Sequence, residues 1–215
     1  MTSAVRGAYL SNTGPVAYLD ESYSVDPAHP HKFYIMSAVV VEPDQRDLLR
    51  SEIVAAAGSS WWHTTDALRS EDGRLRTHAM LTALADPAGM EWCVIAHRRA
   101  IEPGDVDGEE ARAAALTALL AHLATGSSPV GDPVSLFVLE RRRERRQANR
   151  DARTKAQAVA DGVISARTSL LQVTPAEEQL LWLPDVVCSA YRQQVVRGDS
   201  SYFSHIEAMT TLLEN

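Results

Sequence analysis

The chain has 215 residues, 45% hydrophobic and 23% charged, with a net charge of −7. That length and composition suit one globular domain with a sizeable core. The acidic balance argues against a protein that coats nucleic acid by charge alone. No apolar run is long enough to span a bilayer, and residues 1–14 lack the basic start and apolar core of a secretory leader. A cytoplasmic protein with no membrane partner is therefore expected. Residues 1–14 are read as a short, flexible lead, and residues 15–215 as a single domain.

In chain order, the first element is the apolar run Val16 to Leu19, which ends in Asp20-Glu21-Ser22 and reads as a buried strand. A loop containing Pro27 and Pro30 follows, and Lys32 to Val41 is the second strand. Joined by a loop with no helix, these two strands are expected to pair as a hairpin. Glu42-Pro43-Asp44 opens a helix with Leu49, Ile53 and Ala56 on one face and Gly58 as its stop. Trp61-Trp62 and the polar stretch His63 to Asp66 come next, then a helix from about Arg74 to Leu84.

Met90 to Ala96 is read as the third strand, and Leu116, Leu119, Leu120 and Leu123 recur at helical spacing. Val134 to Leu139 is apolar at every position but Ser135, as in a strand covered on both faces, and Glu140 ends it. Ala156, Val159, Ala160, Val163 and Ile164 mark the next helix, and Ser169 to Val173 is the fifth strand. Pro184 suits the first turn of a helix that carries Val187, Ala190 and Tyr191. Tyr202 to Leu213 is read as a closing helix. Buried strands alternating with amphipathic helices predict an α/β fold, a mixed five-stranded sheet with helices on both sides. Strands one and four are free to be neighbours.

Three acids stand where the chain leaves a buried element: Asp20, Glu140 and Asp185. If strands one and four are adjacent, Asp20 and Glu140 share one sheet edge, where open α/β sheets bind ligands. Clustered carboxylates repel, and a hard divalent cation such as Mg²⁺ or Mn²⁺ relieves that repulsion. Each acid also has an ordinary structural role open to it. Asp20 can cap a turn, Glu140 can pair with the arginines that follow, and Asp185 can stabilise a helix start.

His63, after Trp62 and before Asp66, is placed to position water or to protonate a leaving group, and the paired tryptophans to stack on a base. A lone histidine on the surface and tryptophans in the core are the ordinary alternatives. His29, His31, His78, His97, His122 and His205 show no ligand spacing. Cys93 and Cys188 sit in apolar runs, as small core residues do. From Arg141 to Lys155 the chain carries eight basic side chains against Glu144 and Asp151. Such a segment either seats a phosphate backbone or forms a solvated helix face.

The strand VAYLDES (Val16 to Ser22), the strand Phe33 to Val41, Trp62-His63-Thr64 and the segment LWLPDVVCSA (Leu181 to Ala190) together resemble a large bacterial family of uncharacterised proteins. Its members begin with a strand ending in Asp-Glu-Ser and carry a late Leu-x-x-Ala-Asp helix. The family is assigned to the ribonuclease H-like superfamily. The resemblance implies a ribonuclease H-like fold and a metal-dependent nuclease or phosphodiesterase acting on RNA or DNA.

Carried over by position, Asp20, Glu140 and Asp185 would hold Mg²⁺ or Mn²⁺ and Glu21 would be auxiliary; beside them, from the reading of the residues themselves, His63 would assist catalysis with Asp66 auxiliary. Arg141, Arg142, Arg145 and Trp62 would contact the nucleic acid. Two departures stand out: Tyr23 follows the triplet where members often have Gly, and Glu140 stands where many such enzymes use Asp. The other reading is a non-catalytic module of the same fold that binds nucleic acid or a protein partner. A homodimer is compatible with either reading.

Overall fold

A computed structural model describes residues 2–26, 32–86, 88–98, 100–126 and 132–214. Pro27, His29, Pro30 and His31 of the expected hairpin loop lie outside the described residues. Among those described, six strands form one mixed sheet in the order β5-β4-β1-β2-β3-β6. The strands are β1 (Val16–Ser24), β2 (Phe33–Val41), β3 (Trp92–Arg98), β4 (Leu136–Glu140), β5 (Ser169–Val173) and β6 (Thr210–Glu214). The hairpin expected from the loop connection is present: β1 and β2 run antiparallel from Val16↔Val41 to Ser24↔Phe33. β4 lies parallel to β1, from Val16↔Leu136 to Leu19↔Leu139.

The sheet has six strands where five were expected. The closing segment, read as a helix, instead makes two short 3-10 turns, Phe203–His205 and Glu207–Met209, and then β6. The run Thr210-Thr211-Leu212-Leu213 lies parallel along β3 and satisfies the backbone groups of an otherwise open strand edge. The free edge of β3 decides the conformation of this segment.

Helices cover both sheet faces. On one face pack α2 (Arg46–Ala57), the single turn α3 (Thr64–Ala67), α4 (Glu71–Leu84) and α7 (Trp182–Arg197), with Leu49, Ile53, Met80, Leu81, Val186 and Val187 buried against Val16, Tyr18, Ile35 and Val138. On the other lie α5 (Glu109–Ala124) and α6 (Arg145–Ala160), whose Leu116, Leu119, Leu120 and Ala158 bury Ala17, Leu19, Phe137 and Leu139. Gly58 caps α2 at φ 60°, a left-handed conformation that a β-carbon disfavours.

The basic segment forms most of α6, which ends before Val163 and Ile164. The turn after it places Gly162 at φ 72°, again left-handed. Residues 3–11 of the expected lead form a helix, α1 (Ser3–Ser11), that buries Val5. Tyr9 of α1 donates a hydrogen bond to Glu178, which is wholly buried and also pairs with Arg50. Cys93 and Cys188 are buried free thiols. No helix among the described residues is long and apolar enough to cross a membrane.

Candidate metal centre

The site begins with a mismatch in strand length. β1 does not stop at Asp20, as its sequence suggests; it continues to Ser24 because β2 pairs with it throughout, whereas β4 ends at Glu140. Asp20 and Glu140 therefore sit just past the last β1–β4 partner pair, Leu19 and Leu139. Side chains alternate faces along a strand. Val16 and Tyr18 face α7, so Asp20 does too. Leu136 and Val138 face the same way, and so does Glu140. α7 crosses that face with Asp185 in its first turn. Three acids from distant parts of the chain thus line one cleft of about 740 Å³.

Glu21 points to the other face, as alternation requires. There it pairs with Arg112 of α5 at 2.5 Å. Arg112 is 2% exposed and also binds Asp151 through two nitrogens, at 2.7 and 3.0 Å, and Tyr34 Oη at 3.0 Å. Glu21 is consequently committed to a salt bridge, though it still lines the cleft.

Asp20, Glu140 and Asp185 differ from the sheltered acids that are matched to arginines; buried Asp105, which also has no ion-pair partner among the described residues, instead caps the start of α5 through the Glu110 and Ala111 amides. Glu21 and Asp151 share Arg112, Glu178 has Arg50, and Glu109 has Arg142 at 2.5 Å. None of the three cleft acids has an ion-pair partner among the described residues. Asp20 accepts a hydrogen bond from the Glu21 amide at 2.8 Å. Asp185 Oδ2 accepts two from Thr64, from its amide and its hydroxyl, each at 2.8 Å. Burial, then the negative charges of Glu21, Asp185 and Glu140, push the Asp20 carboxyl well above the usual carboxylate range. Glu140 is raised by burial and then by Glu21 and Asp185. Asp185 is raised by burial, against the Thr64 hydrogen bonds and the His63 charge that lower it.

Among the described residues no three His, Cys, Asp or Glu side chains stand close enough to form a ready-made metal cage. The donor chemistry nevertheless fits a hard divalent cation. Every donor is a carboxylate oxygen, no ion pair among the described residues neutralises the group, and Mg²⁺ is commonly held through one or two carboxylates with water completing its shell. Asp20 and Glu140, joined by Asp185, are the residues that would hold it.

The remaining expected residues divide. His63 is half exposed on the cleft wall, with Nδ1 held by Asp66 Oδ2 at 3.2 Å, and Asp66 in turn pairs with Arg69. Trp62 cannot offer a stacking face: it is 6% exposed and its Nε1 donates to Thr64 Oγ1 at 2.9 Å. Its neighbour Trp61, 58% exposed on the cleft wall, is the indole available to a base.

The basic segment is partly spent on protein contacts. Arg142 pairs with Glu109, Arg150 with Asp107 and Glu109, and Arg141 with Glu177 and the Gln172 carbonyl. Arg143 lines the cleft, is exposed and lies near enough to Glu140 to favour its charged form. Arg145, expected at the substrate, lies on the exposed first turn of α6 outside the cleft lining. Thr64, marked in the sequence only as part of the pattern Trp-His-Thr and given no role there, joins Trp62 to Asp185.

No family model matches the chain, and no curated protein matches it. Among solved structures, the crystal structure of the ribonuclease H2 from Pyrococcus horikoshii OT3 is similar at 10% identity, covering 88% of this chain and 77% of that one with a TM-score of 0.48.

Proposed function

We propose that the chain is a metal-dependent nuclease or phosphodiesterase of ribonuclease H-like design, acting on RNA or DNA. The observation that carries this reading is the contrast among its sheltered acids. Glu21, Asp151, Glu178 and Glu109 are matched to arginines, whereas Asp20, Glu140 and Asp185 share one cleft with no such partner among the described residues. A fold tolerates grouped, partly desolvated carboxylates at a cost, and a cation removes that cost.

A bound Mg²⁺ or Mn²⁺ would supply the charge that activates water and offsets the leaving oxygen. Asp20, Glu140 and Asp185 would hold that ion, and Thr64 fixes the direction of the Asp185 carboxylate. Hydrolysis adds water to phosphorus and expels an ester oxygen, which departs with a proton. His63, steadied by Asp66, is the group at hand to hold or return that proton. Arg143 and the exposed side of Arg141 present positive charge to a phosphate backbone, contacts that position a substrate without reading its sequence.

The test is cleavage of a panel of single- and double-stranded RNA and DNA with added Mg²⁺ or Mn²⁺. Wild type should cut at least one substrate, and Asp20→Asn should abolish the cut. If the two proteins behave alike, the nuclease reading is lost. Binding without cleavage would instead identify a non-catalytic nucleic-acid module.

A further inference from the structure

Far along the chain from the cleft acids, α4 and the 3-10 turn Phe203–His205 bring two histidines together. His78 Nδ1 and His205 Nε2 are 3.1 Å apart. Two metal–nitrogen bonds of about 2.0–2.1 Å whose donors are 3.1 Å apart subtend an angle of about 95–102°, between octahedral and tetrahedral values.

The surroundings hold both rings in place. Tyr202, itself buried, stacks on His78 with ring centroids 4.4 Å apart and planes 16° from parallel. Thr82 Oγ1 donates its single proton to the His78 carbonyl at 2.9 Å, so toward His205 Nδ1, at 3.4 Å, it can only accept. That contact puts the His205 proton on Nδ1 and leaves the Nε2 lone pair facing His78. Hydrogen bonding at one imidazole nitrogen is how proteins ready the other as a ligand. Burial, and then the charge of His205, lower the His78 pKa and favour its neutral form, against Asp199, which raises it.

We infer that His78 and His205 form a surface site for a first-row transition dication that favours imidazole, such as Zn²⁺ or Ni²⁺. Two imidazoles and water complete its shell, an arrangement suited to these ions and not to Mg²⁺. The ion takes the place of the proton between the rings, and that proton moves through solvent to His78 Nε2, so both ligands are neutral imidazoles. It ties α4 to the segment that leads into β6, positions 127 residues apart in sequence. An ion that binds only the folded chain stabilises it in proportion to its occupancy.

The test is independent of the nuclease reading. Zn²⁺ or Ni²⁺ is titrated calorimetrically into the full chain carrying Asp20→Asn, which weakens the acidic cleft as a competing site, and thermal unfolding is followed with and without the ion. His78→Gln and His205→Gln are made in the same background; the His205 ring is exposed, so its loss leaves the fold intact. One bound ion and a raised Tm are expected, both lost in either histidine variant, with Mg²⁺ producing neither. Equal stoichiometry and equal Tm shifts in the parent and both variants would overturn the inference.

Discussion

Thr64 grips Asp185 twice. Its amide and its hydroxyl both donate to Oδ2 at 2.8 Å, while the same hydroxyl oxygen accepts the indole proton of buried Trp62 at 2.9 Å. Asp185 is thereby held at one oxygen, and in the proposed site the other would meet the cation. Outer partners of this kind are worth about 10–100-fold in metal affinity. Thr64→Val keeps the shape but removes the hydroxyl, and leaves the Trp62 Nε1 proton without its partner, a cost of about 1–3 kcal/mol. Thr64→Val should weaken Mn²⁺ binding by about that factor and lower stability, and Thr64→Ser should restore both, as read by calorimetry and thermal unfolding.

The raised cleft carboxyls make stability fall as pH rises. Asp20 and Glu140 hold their protons to higher pH when folded than when unfolded, where ordinary values near 4 apply. Above that value the native chain binds more protons than the unfolded one, so raising the pH through the folded range favours unfolding. With divalent ions chelated, Asp20→Asn should melt a few degrees above wild type at pH 7–8, and the gap should close toward pH 4. Saturating Mn²⁺ should reverse the order at pH 7. Parallel pH profiles for the two proteins would contradict the assignment.

The adjacent tryptophans should separate cleanly. Trp61→Ala is expected to weaken nucleic-acid binding about tenfold, within the 1–3 kcal/mol typical of one stacked base, without moving Tm. Trp62→Ala empties a core position and should cost about 3–5 kcal/mol of stability. Fluorescence anisotropy with a labelled oligonucleotide, beside thermal melts, distinguishes them.

The arginines divide in the same way. Arg143→Ala should reduce affinity for nucleic acid and flatten its salt dependence by about one unit of slope, because it removes one phosphate contact. Arg142→Ala should chiefly destabilise the fold, since it takes from Glu109, which is only slightly exposed, its shorter arginine contact and leaves it Arg150 at 3.4 Å. Binding measured across a range of salt concentrations, paired with urea melts, reads both.

Much of the architecture is legible from residue order. The short connection between two apolar runs announces the β1–β2 hairpin, and the uninterrupted apolar character of Leu136 to Leu139 announces a strand sheltered on both faces. Placing Asp20 and Glu140 together then requires only that β4 lie beside β1. What escaped depends on contacts remote in sequence. β6 is a strand because β3 offers it an open edge, and nothing in residues 210–214 alone reveals that edge. Asp20 lies within β1, not after it, because β2 outlasts β4. Which tryptophan is buried follows from Thr64 and α7, and which arginines are free follows from where α5 places Glu109 and Arg112. Alternation along β1 puts Asp20 and Glu21 on opposite faces, a distinction the Asp-Glu-Ser triplet conceals until the extent of the strand is known.

The most direct measurement is a calorimetric titration of Mn²⁺ into wild type, Asp20→Asn and Asp185→Asn in a His78→Gln background, which removes the imidazole pair. Saturable binding in the parent, lost or sharply weakened when either acid becomes an amide, is the outcome predicted. Mn²⁺ binding that is absent from the parent, or unchanged by both substitutions, would contradict a shared cation site at the end of β4.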